Sequence, residues 1–451
     1  TVKRTDVYVP QLPGKAEVGD TSDVAGRFDA IVKNPNLASQ RGLGERFDAS
    51  IGAGSILFPY GGKRQLTPAQ AMVGLIPVGP GRKTDTCSIM AAGFDPYRME
   101  RNPFTGARSS VIESVAKVVA AGGDASKVYL SLQEYFERLR DEPARWGKPF
   151  AALLGAYQAQ IGLGVAAIGG KDSMSGSFLD LDVPPTLVSF AIAPGQTGDV
   201  ISPEFKAAGH PVYLFQAPDG DYEALKATWA QFHQLVKAGK VAAAWAVTVG
   251  GVAEAVMKMS FGNGVGFAGT PDLSGDLLFG DLCGCIVAEL TEDTDAALKI
   301  GATTDDGKLT VAGATLSVAD LAEKWEATLE GVYPTHASEK PEEMPNMDYD
   351  RRLLTVVKNR VARPKAVIPV FPGTNCEYDT ANACIRAGID PEILVIRNLT
   401  TDLLNQSAQA LEQAISQAQM IVLPGGFSGG DEPEGSGKFI ASFFRNPRIK
   451  D

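Results

Sequence analysis

The 451-residue chain is 44% hydrophobic and 21% charged, a composition that builds a globular core and excludes disordered or collagen-like chains. Its formal net charge of −11 repels nucleic acid and anionic membrane except where Lys and Arg cluster, and no apolar run reaches the about 18–20 residues that span a bilayer, so neither partner is expected. The length predicts about three domains, and the scattered Cys87, Cys283, Cys285, Cys376 and Cys384 predict free thiols in a reducing, cytoplasmic compartment.

The chain opens with Thr1-Val2-Lys3-Arg4 and no secretion signal, and is expected to be a piece of a longer polypeptide. Ser110-Val111-Ile112-Glu113 reads as a capping box, opening a helix whose apolar stripe of Val111, Val115 and Val118 runs to Gly122-Gly123. A second helix is expected over 150–161, and buried strands over 165–168 and 186–193 with a glycine-rich loop between them. From Pro211 a new unit begins, with a strand over 212–215 and a helix over 222–237 that places Leu225, Trp229, Phe232 and Val236 on one face. Gly250-Gly251 opens a helix over 252–259. The run 278–290 reads as an apolar strand, and Cys283-Gly284-Cys285 within it as structural, since no second Cys or His pair has ligand spacing.

These stretches predict two α+β subdomains, 36–195 and 205–333. Residues 334–363 have a linker composition, with Pro334, Pro341 and Pro345 beside Glu339, Glu342 and Glu343. Beyond them strand, helix, strand, helix and strand over 366–371, 377–387, 393–396, 401–418 and 420–423 predict a parallel, doubly wound sheet.

Two loops can carry chemistry. In Gly169-Gly170-Lys171-Asp172-Ser173-Met174-Ser175-Gly176 the glycines free amides to face an anion, Lys171 adds a point charge and the serines add hydroxyl donors. It is not a Walker A loop, because Asp172 follows the lysine and Val165 stands where the first glycine belongs. Phosphate binding and a tight connection with incidental polar residues both remain open. Pro424-Gly425-Gly426-Phe427-Ser428-Gly429-Gly430-Asp431 follows the third strand of the doubly wound unit, at the edge where such sheets bind ligands. It reads either as oxyanion donors or as a plain strand-to-helix loop. His210, His233 and His336 are isolated and read as structural or solvated, and nothing forms a Ser/His/Asp set.

Taken in order, Asn36-Leu37-Ala38-Ser39-Gln40-Arg41-Gly42-Leu43, Glu45-Arg46-Phe47-Asp48, the 169–176 loop, Val249-Gly250-Gly251-Val252-Ala253-Glu254-Ala255 and the 424–431 loop resemble the phosphoribosylformylglycinamidine synthase family in its long single-chain form. The resemblance implies an α/β and α+β architecture. Residues 1–35 would be the tail of a first synthetase half, 36–333 a second half built like aminoimidazole ribonucleotide synthetase, and 364–451 the first part of a flavodoxin-like class I glutamine amidotransferase domain. It further implies a ligase of purine biosynthesis that converts formylglycinamide ribonucleotide to formylglycinamidine ribonucleotide, with ATP and Mg2+ as cofactors and glutamine as ammonia donor. The partners implied are the first synthetase half and the rest of the amidotransferase, in the same polypeptide.

By matching position, Gly169, Gly170, Lys171, Asp172 and Ser173 are implied to contact nucleotide or substrate phosphate, with Lys171 standing where short forms carry asparagine. Glu113 is retained from the family's magnesium ligands, whereas Lys117, Ala246 and Thr86, with Asp85 adjacent, stand at the others. The resemblance places the amidotransferase nucleophile beyond Asp451. Neither Cys376 nor Cys384 replaces it, so the glutaminase part is expected to supply only an oxyanion donor at Gly426. The rival readings are a non-catalytic scaffold half that holds the other domains in register, and a free-standing flavodoxin-like binding protein.

Overall fold

The computed structural model describes residues 21–47, 54–79, 81–336, 361–426 and 436–450, and packing divides the chain into two units, Thr1–Pro77 with Thr84–Lys340, and Val78–Lys83 with Pro341–Asp451. The first unit opens with α1 (Val24–Lys33), where the Asp23 side chain accepts from the Gly26 amide. There follow β1 (Met72–Leu75), β2 (Thr86–Gly93), α2 (Pro103–Ala120), β3 (Tyr129–Tyr135), α3 (Pro143–Leu163), β4 (Ala166–Lys171) and β5 (Thr186–Gln196). Their sheet runs β1-β2-β5-β3-β4, antiparallel except for β3 with β4. Because strand side chains alternate in direction, β2 turns Cys87, Ile89 and Ala91 into one core with Leu187, Ala191 and Ala193 of β5 and Val111, Val115 and Val118 of α2.

The expected capping box is not a helix start. Asn102 caps α2, its side chain accepting from the Phe104 and Thr105 amides, and Pro103 at the first helical position presets the backbone. Ser110 therefore lies inside the helix, its hydroxyl donating to Gly106 O. Nor is the strand beginning near 165 buried. β4 is an exposed edge strand, with Ile168 76% exposed, and it continues through Gly169 and Gly170 to Lys171. A run of four apolar residues does not distinguish a central strand from an edge one.

α3 extends the helix expected over 150–161 at both ends, with Pro149 inside it. It packs main chain to main chain on α2, since a Cβ at Gly155 would lie 2.0 Å from Phe104 O. Helix propensity alone favours Gly155→Ala by about 1 kcal/mol. A backbone oxygen cannot swing aside, however, and forcing the helices apart costs about 1–3 kcal/mol, so urea denaturation should show the variant less stable than wild type. A stabilised variant would contradict the close α2–α3 contact.

The second half of this unit comprises β6 (Pro211–Phe215), α4 (Tyr222–Lys237), β7 (Val241–Ala246), α5 (Gly251–Phe261), β8 (Gly266–Gly269), β9 (Ile286–Leu290), β10 (Leu298–Thr304), β11 (Lys308–Val311), β12 (Ala314–Ser317) and α6 (Val318–Glu330). The seven-stranded sheet has the order β7-β9-β6-β10-β8-β11-β12. Its centre is buried on both faces. Tyr213, Phe215, Ile286 and Ala288 join the core around α2 and α4, whereas Val212, Leu214 and Val287 meet Trp245, Phe261 and Trp325 on the other side. α4 turns Leu225, Trp229, Phe232 and Val236 inward, as its spacing predicts. The strand expected over 278–290 is shorter. A helical turn at Gly275–Phe279 comes first, and Cys283-Gly284-Cys285 lie in the turn before β9, where Gly284 adopts φ +89° and breaks the extended run.

In the second unit β13 (Lys365–Val370), α7 (Glu377–Arg386), β14 (Asp390–Val395), α8 (Thr401–Gln417) and β15 (Met420–Ile421) alternate as predicted, followed by α9 (Ser436–Phe444). The sheet β14-β13-β15 is parallel throughout, over a core that includes Val367, Phe371, Leu411 and Phe443. Residues 1–20 of the expected tail, 337–360 of the expected linker and 427–431 of the second glycine loop lie outside the described residues. No helix among the described residues is long and apolar enough to cross a membrane.

Candidate functional site

The glycine loop leaves the sheet from β4, where Gly170 pairs with Leu132 and Lys171 with Gln133 of β3. It then folds back over the end of β3. The Ser173 amide donates to Glu134 O, the Phe136 amide to Ser173 O, and the Gly176 amide to Phe136 O. Gly170 tolerates no side chain, because a Cβ would lie 2.1 Å from Leu132 O. Gly169, Lys171 and Asp172 are exposed and Ser173 half-buried. Lys171 Nζ donates to Asp172 O, and the Ser173 and Ser175 hydroxyls lie 2.7 Å apart. One ammonium and two hydroxyls on a main-chain turn pinned to a strand can hold a phosphate group.

Behind the loop stands Glu134, which sequence reasoning missed. It is 6% exposed, and its Oε1 has no hydrogen-bond partner. Burial first, and then the charge of Asp172, push its carboxyl up to about 7. The signal was available in the alternation of β3, which turns Leu130, Leu132 and Glu134 to the same side. The folded protein thus keeps a proton that the unfolded chain releases near 4.5, so this group's contribution to stability is present at low pH and is lost as pH rises from about 4.5 to about 7. Glu134→Gln removes that dependence. Its melting temperature should gain on wild type between pH 5 and pH 8, and an unchanged difference across that range would contradict the buried, proton-holding carboxyl.

Glu113 lies elsewhere, on α2, in the wall of a cleft of about 310 Å3 that includes none of residues 169–173. This cleft sets Arg27, Arg98 and Arg101 against Asp95, Glu113 and Asp281. Arg98 is committed to Asp281, Ser109 and Asp95, and Arg27 sits 4.9 Å over the Phe279 ring. Glu113 is 5% exposed, and its Oε1 lies 2.6 Å from Lys117 Nζ, which also donates to Ala92 O at 2.9 Å. Burial outweighs that cation and holds the Glu113 carboxyl above the ordinary range. On the same wall, burial pushes the Cys283 thiol up to about 12, which removes it as a nucleophile at neutral pH.

Magnesium normally takes several convergent oxygens. Glu113 is already neutralised by an internal ammonium, and no group of three or more His, Cys, Asp or Glu among the described residues is placed to hold a metal ion. The residues present at Glu113 do not fit Mg2+. His210 is structural, with Nδ1 2.6 Å from the buried Glu289 carboxylate, which also accepts from the Lys206 and Ala207 amides.

In the second unit Gly426 follows β15, where a Cβ would lie 2.3 Å from Gly373 O. The Asn375 and Cys376 amides donate to Gly425 O at 3.0 and 3.3 Å, so two turns lie main chain on main chain. Cys376 stands at the N-cap position of α7 without a side-chain hydrogen bond to the helix, its thiol 3.5 Å from Asn375 Oδ1, and Cys384 is buried on the same helix. The chain's three histidines all fall at or before residue 336, so neither thiol has a His base within this unit. Of the predicted residues, Gly169 to Ser173 form one strand and turn, Glu113 lines a separate cleft, and Gly426 belongs to the other unit.

Residues 363–451 match the family described as the CobB/CobQ-like glutamine amidotransferase domain. Over 267 residues, 53% of this chain, the sequence is 25% identical to the phosphoribosylformylglycinamidine synthase subunit PurL of Pyrobaculum calidifontis. Over 292 residues, 59% of the chain, it is 24% identical to the same subunit of Nitrobacter winogradskyi. The chain spans 35% and 37% of those relatives' lengths. In fold it is similar to T. maritima PurL complexed with FGAR, with a TM-score of 0.51 and 13% identity over 72% of this chain and 56% of that one. T. maritima PurL complexed with ATP gives 0.50 and 15% over 73% and 56%. The chain is thus similar to phosphoribosylformylglycinamidine synthase subunits in sequence and in fold, and residues 363–451 match the amidotransferase family.

Proposed function

We propose that this chain is part of a cytoplasmic, ATP- and glutamine-dependent synthetase that converts formylglycinamide ribonucleotide to formylglycinamidine ribonucleotide. The observation that carries the reading is the order of parts in one chain. A unit with the fold of T. maritima PurL is followed by amidotransferase-type sequence, and an acceptor site fed with ammonia from glutamine needs both.

In this reading the 169–176 loop holds a phosphate of nucleotide or substrate. Lys171 supplies the neutralising charge without a metal, Ser173 donates its hydroxyl, and Gly170 keeps the main chain tight against β3. ATP, when bound, supplies the activation of the amide oxygen that ammonia displaces. The remainder of the enzyme supplies the first synthetase half and the amidotransferase nucleophile, so the 451-residue chain alone should release no glutamate from glutamine above background. Release abolished by Cys376→Ala would contradict this.

A second reading, a scaffold half without its own nucleotide, is favoured by the Glu113–Lys117 pair, which fills with an internal salt bridge a position the family resemblance gives to metal. Complementation tests the first reading. The polypeptide that carries this sequence should restore purine-independent growth to a strain lacking its formylglycinamidine synthase, and failure despite soluble expression would count against it.

A further inference from the structure

Helix α3 is amphipathic in the wrong sense for a surface helix. Its buried side is made of small residues, Ala152, Gly155, Ala156 and Ala159 among them, where it lies against α2. Its outward side carries Trp146, Phe150, Leu153, Leu154, Tyr157 and Ile161, exposed by 58, 55, 49, 43, 62 and 66%. At 3.6 residues per turn these six fall within an arc of about 100°. No Asp, Glu, Lys or Arg occurs from Pro149 to Leu163, although the chain carries a net charge of −11. A solvated helix face shows the opposite pattern, and a contiguous apolar patch rimmed by polar residues marks an interaction surface.

The spacing suits a second copy of the same helix as the occupant. The six residues are separated by 4, 3, 1, 3 and 4 positions, a series that reads the same in both directions. Two copies of α3 laid antiparallel about an axis between Leu153 and Leu154 set Trp146 opposite Ile161, Phe150 opposite Tyr157, and Leu153 opposite Leu154. That self-complementarity is what a two-fold interface requires. The antiparallel orientation also opposes the two helix dipoles and keeps Arg145 and Lys148, the cations at the N-terminal end, away from their copies. The six side chains offer about 600 Å2 per copy, and about 1,200 Å2 in a pair, the lower end of specific interfaces. We propose that this face of α3 pairs with α3 of a second copy of the chain, antiparallel and two-fold symmetric, giving a weak dimer.

Sedimentation velocity on the 451-residue chain should show an average mass rising with concentration toward the dimer, complete by about 100 μM. Phe150→Glu and Tyr157→Lys should each weaken association by at least about 30-fold while leaving the melting temperature unchanged, because both side chains already face solvent. Mixing the two variants in equal amounts should restore the dimer, since the introduced charges are opposite in sign and face each other across the axis. A wild-type chain monomeric at about 100 μM, a dimer insensitive to Phe150→Glu, or a mixture that stays monomeric would each overturn the proposal. Monomeric wild type would leave the face to another occupant, the remainder of the same polypeptide or a different protein.

Discussion

Lys117→Ala should lower unfolding stability by about 3–5 kcal/mol, the cost of removing one partner from a buried ion pair. The side chains of Lys117 and Glu113 are 17% and 7% exposed, and the ammonium also satisfies Ala92 O. Its removal leaves the Glu113 carboxylate, 5% exposed on the cleft wall, with no counter-charge. Glu113 already binds its proton more tightly than an exposed carboxyl, so the loss should be smaller in acid, where protonation relieves it, and larger in base. Adding Glu113→Gln should recover most of the loss, because a neutral amide needs no counter-ion. Chemical denaturation of the two single variants and the double variant measures this directly. A loss below about 1 kcal/mol, the value of an exposed pair, would mean that the two groups do not depend on each other and that Glu113 is free for another role.

The second large effect is expected at Lys171, in the polypeptide that carries this sequence. Its ammonium sits on a turn held to β3 by main-chain hydrogen bonds, and among the described residues its hydrogen bond is to the adjacent Asp172 O. If the turn holds phosphate as proposed, Lys171→Ala should lower the specificity constant of ammonia-dependent synthesis roughly 10- to 150-fold, the loss of one charge-assisted contact. Lys171→Arg should recover part of it, since the charge persists while the geometry changes. The side chain is exposed, so the melting temperature should barely move.

Much of the architecture was legible where local and global signals agree. The face Leu225, Trp229, Phe232 and Val236 follows helical spacing and is buried as a set, and the alternation after residue 365 leaves only a parallel sheet. The misreadings have physical causes. Ser110 and Glu113 have capping-box spacing, yet Asn102-Pro103 is the stronger start and lies about two turns earlier on the same helix. β4 is apolar because short apolar runs suit edges as well as centres, and its exposure depends on what pairs beside it.

The candidate site was legible only where it is contiguous. The turn that holds Lys171 and Ser173 can be read from its glycines, whereas Glu134 behind it is brought there by the pairing of β3 with β4. The cleft around Glu113 gathers residues from Arg27 to Cys283, a separation no local pattern spans. Glu113 itself illustrates the limit, because its partner is four residues away on the same helix and decides whether it is a ligand or half of an ion pair.

The most direct measurement is the rate at which the polypeptide carrying this sequence forms formylglycinamidine ribonucleotide from formylglycinamide ribonucleotide, ATP and ammonium, compared between wild type and Lys171→Ala alongside their glutaminase rates and melting temperatures. The predicted result is ATP-dependent synthesis that falls roughly 10- to 150-fold in the variant, with glutamine hydrolysis and thermal stability unchanged. Synthesis that survives Lys171→Ala while the melting temperature drops by several degrees would contradict it, making the loop structural and the unit a scaffold.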